Sequence, residues 1–245
     1  GDVTFQGTVE ADTAGQETLT IDSGAGDVTF SKKIGITKAL GGLNVNATAG
    51  DGAGIITFTE DIGDTSAGVK GTTAVGNSST AQIIFSEDTY TFDTGATTFT
   101  VTSSGDIDLN KGATTTFTTA NTAITFAGGD IDLADGSDLT VNSVGAAITI
   151  AGISGDSDEI VTLNANDAAA EAGADGETVS LGNVGDSGHT QIHNLTVSAD
   201  DGITLTGAIY TSAGGDGSAA DIVFNDKVLI NGTVIIDSDD SANDG

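Results

Sequence analysis

Residues 105–152 read GDIDLNKGATTTFTTANTAITFAGGDIDLADGSDLTVNSVGAAITIAG. The pentapeptide GDIDL occurs twice, 24 residues apart, and AITF at 123 returns as AITI at 147. Short apolar–polar–apolar triplets recur about every eight residues in this stretch. Inside each triplet the period is two, which marks a strand with one face in the core and one in solvent. Three such strands and three tight turns fill about 24 residues, the length of one coil of a parallel β-solenoid with a triangular cross-section. Each strand then pairs with its counterpart one coil away, about 4.8 Å along the axis.

Working outward, the same triplets run to both ends of the chain. Val3-Thr4-Phe5 and Val28-Thr29-Phe30 both sit in GDVTF, and the far end carries Ile203-Thr204-Leu205 and Val228-Leu229-Ile230. The spacing predicts a single all-β module over residues 1–245, with about ten coils stacked into a rod of about 48 Å. A pair of antiparallel sandwich domains also has turn signals every eight to twelve residues or so. The solenoid is favoured because similarity returns at the coil period and the strands are short. Three stretches break the rhythm and read as loops at coil corners: 61–80, 164–177 and 211–220, with a short helical turn over Ala168–Ala172.

Composition narrows the function classes. The chain has 245 residues, 36 of them Gly, with no Pro, Cys, Met or Trp. Six residues are basic, all Lys, against 36 acidic ones, for a formal net charge of −30. Nucleic-acid binding requires clustered cations and is excluded on that ground. Attraction to an anionic membrane surface is excluded likewise, and no apolar run approaches the roughly 20 residues that span a bilayer. Absence of Pro suits a long hydrogen-bonded sheet. Absence of Cys removes disulfides and thiolate metal sites.

The two ends share a cadence. The C-terminal IIDSDDSANDG joined to the N-terminal GDVTF reads like the internal TIDSGAGDVTF. This leads us to expect one unit of a longer tandem array, or a subunit that self-associates end to end, because an uncapped solenoid exposes unpaired strand edges.

The run GDVTFSKKIGITKALGGLNVNA at 26–47, with GDIDL, LTVNS and VLINGTVIID in support, resembles the repeats of filamentous-haemagglutinin-like and giant β-strand-repeat bacterial surface adhesins. The resemblance is one of composition and rhythm over most of the chain. It implies a right-handed parallel β-helix, secreted and displayed at the cell surface, serving adhesion, surface architecture or filament formation.

Candidate chemistry is sparse. Asp106 and Asp108 share the outer face of one strand, as do Asp130 and Asp132, and a 24-residue coil stacks the two pairs. Four carboxylates so placed could hold Ca²⁺ through hard oxygen ligands; a solvated acidic face is the simpler reading, since an exposed like-charge pair costs only about 1 kcal/mol. Asp-rich turns at 135–138, 156–159 and 237–240 lack the EF-hand spacing, and GGDGSAAD at 214–221 has Ala219 where a calcium nonapeptide needs Asp. His189 and His193 share a strand face but lack the Glu of a zinc helix. Sequons at Asn46, Asn77, Asn194 and Asn231 are expected by chance in so polar a chain. Thr-rich strands such as 114–119 raise an ice-binding reading, weakened because the outward positions mix Asp, Ser and Thr from coil to coil. No nucleophile elbow or phosphate loop is present, so no enzyme activity and no required cofactor are expected.

The residues therefore point to a structural or adhesive module of an extracellular fibre. The alternatives are a carbohydrate-binding or carbohydrate-cleaving β-helix that meets a cell-surface glycan, with Tyr90 and Tyr210 as the available rings, and a calcium-stabilised spacer.

Overall fold

The computed structural model describes residues 1–48, 54–156, 158–166, 176–186, 191–213 and 218–238. Strand pairing throughout is parallel, and among the described residues there is no helix. The chain winds as a β-solenoid with about three strands per coil. In chain order the strands build three ladders.

The first ladder starts at Val3 and rises through Val28, Ile56, Ile83, Ile107 and Ile131. It continues through Ile153, Val184 and Ile209 to Ile236. The second begins as single bridges at Val9, Ile34 and Ile62 and becomes continuous strand from Thr89–Thr91 to Ile222–Phe224. The third runs from Thr18–Ile21 to Val228–Ile230. The first and third merge where Ile148–Ser154 and Thr178–Val184 bend round a corner: Ile148 pairs in the third ladder while Ile153 pairs in the first. The repeated GDIDL falls in perfect register, Ile107 on Ile131 and Asp108 on Asp132.

Inward residues of all three ladders fill one continuous core. Phe5, Phe30, Phe58 and Phe85 stack along the axis with ring centroids 5.0, 5.1 and 5.2 Å apart and nearly parallel planes. This spacing is the strand separation itself, so identical rings on successive rungs are held in contact by the backbone ladder. At Leu109 the first ladder changes to aliphatic, and the aromatic volume moves to Tyr90 and Phe117 on the second ladder and Phe99 and Phe126 on the third. Phe85 meets Tyr90, Phe99 and Phe117 edge-on at the changeover, 4.6–5.1 Å away. All of these rings but Phe5 are at most 1 % exposed.

The corners explain the glycine content. A Cβ on Gly129 would lie 1.6 Å from the carbonyl oxygen of Gly105, and one on Gly105 would lie 2.2 Å from that of Ala81. Stacked turns at this corner approach too closely for side chains. At one corner buried polar residues are paired from coil to coil: Asn46 accepts from the backbone N–H of Ser23 at 2.9 Å, and Asn77 donates to the carbonyl of Asn46 at 2.5 Å. Asn46 and Asn77 are buried, so two of the four sequons are structural corner residues.

One expectation is corrected. Residues 61–80 are not a projecting loop. Ile62 and Val69 are fully buried bridges and Thr73–Val75 is a third-ladder strand. The polar residues between them turn two corners, and single inward residues there give no triplet for the sequence to display. Thr211 likewise is buried and bridged to Ile192. Residues 167–175 and 214–217, including the helical turn expected at Ala168–Ala172, lie outside the described residues.

Candidate functional site

The first ladder's outer face carries the four expected carboxylates. Asp106 stands opposite Gln82 and Asp108 opposite Ile84, while Asp132 stands above Asp108 and below Ser154. Alternation forces this placement, since Ile107, Leu109, Ile131 and Leu133 point inward and are at most 2 % exposed. Gln82 Nε2 donates to Asp108 Oδ2 at 2.7 Å, and Ser154 Oγ donates to Asp132 Oδ1 at 3.0 Å. The carboxylate of Asp130 lies against Gly152, with an oxygen 2.0 Å from where a Cβ would be, so a side chain at 152 would turn it aside. Asp108 Oδ1 is shielded from water and has no hydrogen-bond partner.

Partial burial, reinforced by the charge of Asp132 and then Asp106, raises the Asp108 carboxyl to about 6. Asp106 is raised by burial and by Asp132, and Asp130 by burial and by Asp106 and Asp132. The face can thus take up protons in mildly acidic solution, and its oxygens are of the type that bind divalent cations.

A second acidic group was not foreseen. Asp61, Glu87 and Asp88 bring one oxygen each within 4.8 Å of one another at the corner between the first and second ladders. Two ammonium groups already pair with two of the three. Lys33 Nζ is 2.6 Å from Asp61 Oδ2, and Lys111 is paired with Glu87. Each lysine's pKa is raised, first by its hydrogen bond to that carboxylate. Asp61 also accepts from the backbone N–H of Thr89 at 3.2 Å, and the backbone N–H of Glu87 donates to the Tyr90 hydroxyl at 3.0 Å. Lys32 and Glu60 pair at 2.7 Å on the same corner. A metal here would have to displace two bound cations, so the arrangement acts as an electrostatic post joining neighbouring coils. The available sequence signal was that Lys32, Lys33 and Lys111 each fall two or three residues after the inward residue that closes a first-ladder strand.

The two histidines do not form a visible pair, because His189 lies outside the described residues. His193 is buried, its Nδ1 3.1 Å from the carbonyl oxygen of Ser212 and its Nε2 3.2 Å from Ser218 Oγ. Its ring ties adjacent coils together. Beside it on the preceding coil, Glu159 is fully buried and folds its Oε2 onto the backbone N–H groups of Asp156 and Asp158 at 2.7 and 3.2 Å. Burial raises its carboxyl pKa above the ordinary value. The Asp-rich turn at 156–159 is thus closed by its own glutamate.

A groove of about 570 Å³ crosses several coils at the corner between the second and third ladders, lined in part by Ile36, Thr37, Ser66, Lys70, Phe92 and Val144. Phe92 is 1 % exposed and Tyr90 is fully buried. Neither ring can serve as a stacking platform for a sugar.

Compared with known proteins, the chain matches no family model, no curated protein and no solved structure.

Proposed function

We propose that this chain is a structural module of a secreted bacterial surface fibre or adhesin, extended by stacking coil on coil. The reading is supported above all by the last described rung. Ile222–Phe224, Val228–Ile230 and Ile236–Asp237 each pair on one side only, among the described residues. On that rung the inward Ile230 and Ile236 are 48 and 50 % exposed, whereas their register partners Leu205 and Ile209 one coil back are fully buried. An apolar rung with open backbone edges is completed by another rung of the same kind, supplied by a further coil or a second copy through strand addition. Parallel pairing favours a head-to-tail arrangement, because only that polarity keeps the strand direction of all three ladders. The absence of aromatic platforms from the groove fits a rod better than a carbohydrate-processing β-helix.

Sedimentation velocity across a concentration series, with electron microscopy of the same samples, tests the reading. The expected result is a concentration-dependent series of rods that lengthen by whole modules. Ile230→Lys with Ile236→Lys should hold the chain as single short rods. Single rods at every concentration of the unaltered chain would overturn end-to-end stacking.

A further inference from the structure

The ladders sort the outward residues by face in a way the sequence does not display. On the second ladder the outward positions form two files. Thr89, Thr116, Thr140, Thr162 and Thr196 stand on successive rungs in one. Thr91, Thr118, Asn142, Asn164 and Ser198 form the other. The five strands that carry them contain no charged residue, in a chain with 36 acidic ones. Of the mixture that weakened the ice-binding reading, the Asp residues are concentrated on the first ladder, while Thr, Asn and Ser alternate only in the second file of this face.

Two further properties bear on what this face can hold. Backbone pairing fixes the repeat along each file at about 4.8 Å, and alternation along the strand sets the two files about 7 Å apart. The β-branched Thr side chain is stiff at χ1, so hydroxyl and methyl positions repeat with the backbone. The hydroxyls of Thr116, Thr140, Thr162 and Thr196 make no side-chain hydrogen bond among the described residues, so each is free to hold a water molecule. Waters so held form a row that repeats at about 4.8 Å, close to a repeat of oxygen atoms on a prism face of ice, and the methyl groups between them prevent competing orientations. No pocket, aromatic ring or counter-charge is needed for such a ligand.

We propose that the outer face of the second ladder binds ice through its file of five Thr hydroxyl and methyl groups, flanked by the uncharged second file. The activity is independent of end-to-end stacking, because a single rod displays the whole file.

The test is growth of single ice crystals in a solution of the intact chain, watched between the melting and freezing points. The expected result is faceted crystals and a measurable gap between the two temperatures. Thr140→Tyr with Thr162→Tyr should abolish both effects while the circular-dichroism melt stays that of the parent. Thr149→Tyr, an outward position on the third ladder, should leave them intact. Should the double variant fail to fold, Thr162→Ser removes one methyl group and should narrow the gap. Round, freely growing crystals with the folded parent chain, or full activity in the folded double variant, would overturn the assignment.

Discussion

The outer faces of the first and second ladders are built on one backbone plan and carry opposite chemistry. Rungs at Ile107 and Ile131 present four carboxylates, three of them raised in pKa by burial and by one another. Rungs at Phe117 and Val141 present Thr116, Thr118, Thr140 and Asn142, with no charge at all. Both faces share the same core. The contrast teaches that a solenoid separates two tasks: inward positions secure the coil, and outward positions are free to be acidic or neutral at little cost to the fold.

That separation is broken or sharpened most strongly within a single strand. Phe58 lies between Phe30 and Phe85 in the ring stack, and Thr57 beside it points outward. Phe58→Ala removes a fully buried ring held from both sides and should cost about 3–5 kcal/mol. Thr57→Ala should stay within about 0.5 kcal/mol. Urea unfolding of both variants checks the pair; a comparable loss from Thr57→Ala would mean that the outer faces also hold the coil.

This inward–outward split is the part of the fold that the sequence displays. Period-two triplets identify Val28, Phe30, Ile107 and Leu109 as inward, and the repeated GDIDL gives the register of its own two rungs. What the sequence does not display is which face an outward residue joins. That depends on the lengths of the arcs between strands, and those vary: Ile153 and Val184 are register partners across a much longer interval than Ile107 and Ile131. For the same reason Lys33–Asp61 and Glu87–Lys111 are legible as pairs only once the coil has been traced. The buried Ile62 and Val69 were hidden differently, as lone inward residues between polar arcs that offer no alternation to read.

The end of the neutral face supplies a second, smaller test. Just past Leu139–Asn142, Val144 and Gly145 turn the corner with φ of 44° and 94°. Successive positive values suit Asn-Gly, and a β-branched residue there is strained by about 1–2 kcal/mol. The strain is not offset by packing, since Val144 is 43 % exposed. Val144→Asn should therefore stabilise the chain by about 1 kcal/mol, read as a higher melting temperature. No gain would imply that the exposed valine makes contacts that its exposure does not suggest.

The acidic face yields the most conditional effect, because its sign depends on pH. A carboxyl whose pKa is raised in the folded state binds its proton more tightly there than in the unfolded chain. Its contribution favours the folded state at low pH and is lost as pH rises from the ordinary carboxylate value of 3.8 to about 6 for Asp108. Asp106, Asp130 and the buried Glu159 act in the same direction. The melting temperature should accordingly be higher at pH 5 than at pH 7. General repulsion within a chain of net charge −30 has the same sign, so the variant must separate the two. Asp108→Asn with Asp132→Asn removes one stacked like-charge pair, stabilising the fold at pH 7 by about 1 kcal/mol and flattening the slope between pH 5 and 7. Millimolar Ca²⁺ should raise the melting temperature of the parent at pH 7 and do so less at pH 5, where protons compete for the same oxygens. An equal Ca²⁺ response in the Asn variant would place any cation elsewhere on the rod and leave this face as a proton-binding surface alone.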